Sequence, residues 1–336
     1  MVTIKDVAKQ ANVSVATVSA VINGNKFVSE PLKQRVEEAI AALHYRPNKI
    51  ARSLKKKETH LIGVAVTEVT NPFYPLLLKG VEDAAIDAGY NVLLCTTGDD
   101  PDKELDLVQS MIDQGVDGVI LGTVDQEQSL TLALLKKEGI PHVLINRSPS
   151  SYDGSAARIN NHLVGEQAAF YLTNLGHSNI AFVGGSRLNS LEREQSFMST
   201  LASMDIYLPS DKVIRTDYSI AQTYQDVQPL LTEDTHPTAF FTGSDFMAFG
   251  VIKALLDAGY RVPEDVSVIG SDNIPFSEDF RVPLTTIDSR AYELGKNGSE
   301  LLIEEMKTKD LFTPKKILLE PVLIERESCQ PRTQHS

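Results

Sequence analysis

The apolar positions near the N-terminus recur at the spacing of two short helices. The first helix follows Thr3, a good N-cap residue, and ends at Asn12, which tolerates the left-handed conformation at a helix C-terminus. The second follows Ser14, another N-cap residue, and carries apolar residues at helical spacing as far as Ile22. Two short helices joined by about four residues are typical of a helix-turn-helix, whose second helix lies in the DNA major groove. An ordinary helical hairpin within a larger domain is the alternative.

A third helix and an uneven charge distribution favour the DNA-binding interpretation. The pattern predicts a helix over EPLKQRVEEAIAALH, capped by Ser29, with Pro31 in the first turn, where its missing N–H does no harm. Residues 1–57 contain eleven Lys or Arg and four Asp or Glu, a net charge of +7. The whole chain carries −13, so the remaining residues carry −20. A basic head on an acidic body is typical of a phosphate-binding module attached to a domain that does not bind DNA.

The segment YRPNKIARSLKKK joins this head to the rest of the chain. Pro47 ends any helix that runs into it, and Asn48 can cap a new short helix. The apolar face of that helix would be formed by Ile50, Ala51 and Leu54, with basic residues around it. A helix of about nine residues is too short to be stable alone, so we expect it to be ordered by DNA and to act as a switch. A plain basic linker is the alternative.

From His60 onward, short apolar runs alternate with helical stretches, and the whole series occurs twice. This alternation predicts two α/β lobes with parallel sheets, the last segments weaving back between them. Ligands of such sheets bind beyond the carboxyl ends of the strands, which places a ligand in the cleft between the lobes. The expected boundaries are 1–46 for the all-α head, 47–58 for the hinge helix or linker, and 59–336 for the core, with about 60–160 and 289–317 in the first lobe and about 161–288 and 318–336 in the second.

Composition excludes several classes of protein. No apolar run approaches the roughly 18 residues of a membrane span, and the N-terminus lacks the apolar stretch of a signal peptide. Cys95 and Cys329 are expected to be free thiols in a reducing cytoplasm. The seven histidines show no metal-ligand spacing, and the glycine-rich VGGS lacks the phosphate-binding GxGxxG and Walker patterns. We therefore expect no catalytic residue, no metal and no cofactor.

Several motifs together resemble the lactose- and galactose-repressor (LacI/GalR) family of transcription regulators. The residues that carry the resemblance are TIKDVAKQANVSVATVSAVING, VSEPLKQRVEEAIAALHYRPNKIARSLK, TNPFYPLLLKGVEDAA, QGVDGVILG, LGHSNIAFVGG, RVPEDVSVIGSDN and PLTTID. The resemblance runs from Val2 to about Ser328. It implies a core like that of periplasmic binding proteins, and a homodimer on near-palindromic double-stranded operator DNA. The paired hinge helices would enter the minor groove, where Leu54 would wedge open a base step.

The resemblance also implies which residues contact DNA. The base-reading positions are Val15, Ala16 and Ala20, and many family members carry Arg or His where Ala20 stands. Alanine can offer at most contact with a thymine methyl group, so specificity is expected to depend also on Thr17, Asn25 and the hinge. The expected DNA-binding set is Thr3, Ser14, Val15, Ala16, Thr17, Ala20, Asn23, Asn25, Tyr45, Ala51, Leu54 and Lys55, in which Thr3, Ser14, Thr17, Asn23 and Tyr45 would position the head on phosphates.

The resemblance places an effector in the cleft. The implied set is Phe73, Tyr74, Thr123, Asn146, Arg147, Asn161, Arg193, Tyr218, Ser244, Asp245, Phe246 and Asp272. Arg193 and Asp272 offer facing donors and acceptors to a polyhydroxylated ligand, although Asp272 could also be a turn residue. The aromatic residues could stack on a sugar ring or be core residues. Family members often carry Asp at 146 and Asn at 244, and Arg147 could favour a phosphorylated or acidic sugar.

The expected function is that of a cytoplasmic, dimeric repressor whose operator affinity is controlled by a small molecule, a sugar or sugar derivative. Dimer rather than tetramer is expected because no leucine heptads follow the last strand. One alternative is a regulator controlled by a protein partner, as in the catabolite-control branch of the family. A plain sugar-binding protein is another, against which the DNA-binding head argues.

Overall fold

A computed structural model describes residues 2–24, 26–45, 58–232, 236–308, 311 and 313–332. The chain divides into two compact units, Met1–Thr59 and His60–Ser336. Of the predicted hinge segment 47–58, all but Glu58 lies outside the described residues.

The head contains three helices in its described part, α1 (Ile4–Ala11), α2 (Val15–Asn23) and α3 (Glu30–Ala42). Asn12 ends α1 in the left-handed conformation, and the Ser14 hydroxyl accepts a hydrogen bond of 3.0 Å from the backbone N–H of Thr17. Both features confirm the sequence-based predictions of where the first two helices end and begin. Val7, Val18 and Val36, one from each helix, are fully buried and form the centre of the head's core.

An arginine joins two of the head's helices. The Nη2 of Arg35 on α3 donates to the carbonyl oxygens of Ala11 at 2.6 Å and Asn12 at 3.1 Å. The last carbonyls of a helix have no partner inside it, so Arg35 satisfies the C-terminus of α1 from a neighbouring helix.

The first lobe of the core is a six-stranded, wholly parallel sheet in the order β11-β5-β4-β3-β1-β2. Its strands β1 to β5 and β11 are Leu61–Val66, Asn91–Thr96, Gly118–Leu121, His142–Ile145, Ala156–Ile159 and Lys316–Leu319. Its helices α4, α5, α6 and α12 are Phe73–Asp87, Pro101–Asp113, Leu130–Glu138 and Ala291–Thr308.

The second lobe repeats this arrangement with the order β12-β10-β9-β8-β6-β7. Its strands β6 to β10 and β12 are Ile180–Gly184, Val213–Arg215, Ala239–Thr242, Ser267–Asp272, Thr285–Asp288 and Val322–Ile324. Its helices α7 to α11 are Asn161–Asn174, Leu188–Ser203, Ile220–Leu231, Asp245–Asp257 and Phe276–Asp279, with a 3₁₀ turn at Ser210–Lys212. The prediction of two α/β lobes with parallel sheets is confirmed, except that β12 pairs antiparallel with β10.

The chain passes between the lobes three times. It crosses after β5, between Ile159 and Asn161, where the sequence pattern suggested a crossing. It returns between β10 and α12, and it crosses again between β11 and β12 at residues 320–321. The expected boundary at about 317 therefore falls inside β11, which belongs entirely to the first sheet.

Candidate functional site

The carboxyl ends of the two sheets face each other across the core. Thr123 follows β3, Asn146 follows β4, and Asp272 is the last residue of β9. Side chains from the two edges bond directly across the cleft, as described below for Asp99 with Arg187 and for Arg158 with Glu192. The cleft thus lies where the topology predicts a ligand site.

Arg147 lies just beyond the carboxyl end of β4 in the first lobe and is fully buried. Its Nη1 donates to the carboxylate of Asp125, and its Nη2 donates to Asp99 Oδ1 at 2.8 Å and to the Thr67 hydroxyl at 2.7 Å. Its Nε donates to the carbonyl oxygen of Gly122 at 3.1 Å. Two carboxylates therefore neutralise this guanidinium inside the protein. The expectation that Arg147 could favour a phosphorylated or acidic sugar stays a prediction, and its pairing with two carboxylates argues against it.

Two neighbouring residues of the second lobe, Arg187 and Leu188, bind the same carboxylates. The Nε of Arg187 donates to Asp99 Oδ2 at 2.7 Å, and its guanidinium lies 3.8 Å from the centre of the Tyr218 ring. The next backbone N–H, of Leu188, donates to Asp125 Oδ1 at 3.2 Å. Asp99 and Asp125 each bind partners in both lobes, so they bridge the cleft.

The pKa values of the two bridging carboxyls are shifted in opposite directions from their ordinary values. Burial tends to raise the pKa of Asp99, but the guanidiniums of Arg147 and Arg187 outweigh it and hold that pKa below its ordinary value. Burial of Asp125 outweighs the attraction of Arg147, so the pKa of Asp125 is raised. Asp99 is therefore the carboxylate that stays charged most readily at the bridge.

A second polar network connects the lobes near the crossing points. Arg158 on β5 donates to Glu192 Oε2 at 2.6 Å, and the Asn161 amide donates to the same oxygen at 2.8 Å. The Nε of Arg193 donates to Asn161 Oδ1 at 2.9 Å, and its Nη2 donates to the Ser289 hydroxyl at 3.1 Å. Asn161 and Ser289 lie on two of the passages between the lobes, so Arg193 fastens both passages to α8.

Asp272 is a buried acid in a strained conformation. Its φ of 129° lies in the region that favours glycine. Burial raises the pKa of Asp272 to about 7, opposed by the guanidinium of Arg193, 3.5 Å away, and reinforced by the carboxylate of Asp245. The Ser289 hydroxyl donates to Asp272 Oδ1 at 3.2 Å. Asn146 and Tyr218 also have positive φ values, 65° and 71°, so three cleft residues hold backbone conformations that L-residues rarely adopt.

Other members of the expected effector set make contacts within their own lobe. The fully buried Asp245 accepts hydrogen bonds from the Ile274 N–H at 3.0 Å and from the hydroxyls of Ser277 at 2.6 Å and Thr286 at 2.5 Å. It therefore holds the loop after β9. Ser244 caps α10 by accepting from the backbone N–H of Met247 at 3.3 Å.

The aromatic and hydroxyl positions of the first lobe are also engaged. Phe73 and Tyr74 are buried in the core and pack edge to face, with 5.3 Å between the ring centres. The Thr123 hydroxyl donates to the buried Glu104 on α5. In the second lobe, Phe246 is half-buried against the same core.

Asn146 differs from these residues. It is 2 % exposed, and its side-chain oxygen has no hydrogen-bond partner among the described residues. A buried acceptor without a partner costs free energy, so a donor supplied by a ligand would be favourable here.

On the head, Val15 is 41 % exposed and Ala16 is exposed as well, whereas Ala20 is 8 % exposed. Ala20 therefore presents little surface to a base. Phe27, which the sequence analysis did not single out, is 96 % exposed. Thr3 and Ser14 are exposed, and Thr17, Asn23 and Tyr45 are half-buried. Asn25, Ala51, Leu54 and Lys55 lie outside the described residues.

Sequence reasoning missed Asp99, Asp125 and Arg187. A positional signal was present, because Asp99 lies three residues after β2 and Arg187 lies three residues after β6. Asp125 likewise follows β3 closely. Every polar residue just beyond a parallel strand is a candidate at such a cleft.

Comparison with known proteins agrees with this architecture. A model of bacterial regulatory proteins of the lacI family matches residues 3–48, and a periplasmic binding protein-like domain matches residues 169–329. The HTH-type transcriptional repressor PurR of Vibrio cholerae serotype O1 is 35% identical over 99% of this chain and 100% of its own. The ribose operon repressor of Escherichia coli K12 is 34% identical over 98% of this chain and 100% of its own.

Among solved structures, the lac repressor dimer bound to operator and the anti-inducer ONPF is similar to this chain. It superposes with a TM-score of 0.90 at 26% sequence identity, covering 98% of this chain and 99% of that one.

Proposed function

Because the chain belongs to the LacI family of bacterial regulatory proteins, we propose that it is a transcriptional repressor whose operator affinity is controlled by an uncharged sugar bound between its two lobes. The family consists of DNA-binding regulators, so this chain is a regulator and not an enzyme. We place it in the cytoplasm, where it reaches operator DNA. No helix within the described ranges is long and apolar enough to cross a membrane.

The observation that carries the ligand class is the charge balance of the cleft. The guanidiniums of Arg147 and Arg187 are paired with the carboxylates of Asp99 and Asp125, and the guanidinium of Arg193 lies 3.5 Å from Asp272, whose pKa is about 7. A phosphate or carboxylate placed among matched pairs would lose its hydration without gaining an unpaired cation. Hydroxyl groups, in contrast, both donate and accept, and they can satisfy the unpaired oxygen of Asn146.

The regulatory assembly is proposed by analogy with the relatives. We infer a homodimer, since the similar lac repressor is described as a dimer on its operator. Each head would place α2 in the major groove, with Val15 and Ala16 at the bases. The segment 47–57, with Leu54, would act at the minor groove. Light scattering should give a dimer, and a stable tetramer at micromolar concentration would contradict the assembly.

The first experiment measures binding of the full-length protein to DNA from upstream of its own gene. Salt is held fixed because the phosphate contribution alone moves affinity by orders of magnitude. The titrants are uncharged sugars, each paired with its own phosphate ester. We expect one sugar to shift the binding curve and its phosphate to have no effect. A larger shift with the phosphate would refute the ligand class, and specific DNA binding that no compound alters would point to a protein partner instead.

A variant pair tests the cleft directly. Asn146→Ala removes the unpaired acceptor and should weaken the sugar response by about tenfold while leaving ligand-free operator binding in place. Asn297→Ala is the matched control, because Asn297 lies on α12 and its amide donates to the carbonyl oxygen of Glu293 in the same helix. Equal responses from both variants would exclude Asn146 as a ligand contact.

A further inference from the structure

Arg187 occupies the face of an aromatic ring that a sugar could use. Its guanidinium lies 3.8 Å from the centre of the Tyr218 ring, and its backbone N–H donates to the Tyr218 hydroxyl at 2.9 Å. The backbone of Gly185 also lies against the ring, because a Cβ at Gly185 would lie 2.3 Å from a Tyr218 ring atom. Tyr218 thus packs against both the glycine backbone and an arginine.

The same arginine is bound to the opposite lobe. Nε of Arg187 donates to Asp99 Oδ2 at 2.7 Å, and its Nη2 lies 3.8 Å from Glu68 Oε1. Asp99 follows β2 and Glu68 follows β1, so both belong to the first lobe, whereas Arg187 follows β6 of the second. The Leu188 N–H adds a bond to Asp125 at 3.2 Å. These contacts join the two edges of the cleft directly.

We propose that Arg187 acts as a latch between the two lobes. Its side chain lies in the cleft, stacked on Tyr218 and paired with Asp99, and holds the lobes together when no effector is bound. An effector ring that stacks on the face of Tyr218 that Arg187 covers then has to displace the arginine. This last consequence depends on the proposed function, whereas the latch itself depends only on the contacts across the cleft.

The environment makes the latch effective. Only 12 % of the Arg187 side chain and 30 % of the Asp99 side chain are exposed, so solvent screens the pair less than a surface pair. Arg147 donates a hydrogen bond to Asp99 Oδ1 and so fixes the carboxylate, which leaves Oδ2 to accept from Arg187. The latch therefore joins a preorganised acceptor in one lobe to a stacked donor in the other.

Hydrogen exchange of the ligand-free, full-length protein tests the latch. The Leu188 amide reports on closure, because its acceptor, Asp125, belongs to the other lobe. We expect this amide to be protected in the wild-type protein and to exchange about tenfold or more faster in Asp99→Asn and in Arg187→Gln. Since both changes break the Arg187–Asp99 contact, their effects on the Leu188 amide should be less than additive in the double variant.

Arg215→Gln is the matched control. Arg215 pairs with Glu194 at 2.6 and 2.8 Å, and both residues belong to the second lobe. Its loss should leave the Leu188 amide unchanged. The latch would be refuted if the wild-type amide were unprotected, if neither cross-lobe variant accelerated its exchange, or if Arg215→Gln did so equally. No DNA or sugar enters the experiment, so failure of the proposed function would be seen separately, in the operator titration.

Discussion

Asp272 makes a prediction at the scale of a single residue. Its pKa is raised from 3.8 to about 7. Between those two pH values the folded protein therefore holds a proton on Asp272 that the unfolded chain has released. Its contribution to stability is greatest at low pH, falls as pH rises through that interval, and is constant above about 7. Asp272→Asn cannot ionise. The melting temperature of the variant relative to the wild type should therefore rise by a few degrees from pH 5 to pH 7 and then level off.

Comparing the two proteins at each pH removes the contributions of the titrating groups that do not interact with Asp272. Asp99 changes stability in the opposite direction, because its pKa is lowered, but it does so equally in both proteins. If the melting temperatures of the two proteins differed by the same amount at every pH from 5 to 8, the Asp272 pKa would not be raised. An offset that adds to this rise and is the same at every pH is compatible with the prediction, since it reports the lost pairing with Arg193.

Arg35 makes a prediction at the scale of a helix. It satisfies the carbonyl oxygens of Ala11 and Asn12 at the C-terminus of α1, where the helix dipole also favours a positive charge. Arg35→Ala should destabilise the head by about 1 kcal/mol, seen as faster hydrogen exchange of the α1 amides. Lys33→Ala is the control on α3, because Lys33 makes only exposed ion pairs, at 3.8 Å to Glu30 and 4.0 Å to Glu37. If the α1 amides exchanged equally fast in both variants, Arg35 would not cap α1.

The secondary structure elements could be predicted because their signals are local. The caps Thr3, Ser14 and Ser29 mark helix starts, and the left-handed Asn12 marks a helix end. The short helix Phe276–Asp279 was not predicted, since four residues are too few to show a period. The antiparallel pairing of β12 also has no local signal, because strand direction depends on where the chain returns to the sheet.

The cleft could be located from topology, but its contacts could not. Asp99 and Arg187 are 88 residues apart, and no period or spacing connects them. Arg147 shows the consequence most clearly. Its sequence position suggested a cation facing a ligand, and only the fold shows that two carboxylates neutralise it. Reading an isolated charge from a sequence therefore leaves its net effect on a ligand undetermined until its partners are known.

At the scale of the whole molecule, charge is separated between residues 1–57 at +7 and the rest of the chain at −20. Binding to any DNA should therefore use residues 1–57 and not the acidic body, and it should weaken as salt rises. Lys26 is exposed on the head, so Lys26→Ala should weaken operator and non-operator DNA alike and reduce the slope of log affinity against log salt by about 1. Lys253→Ala, on α10 of the second lobe, should leave both unchanged. A loss confined to operator DNA would instead give Lys26 a base-reading role, and an effect of Lys253 would show that the acidic body takes part in DNA binding.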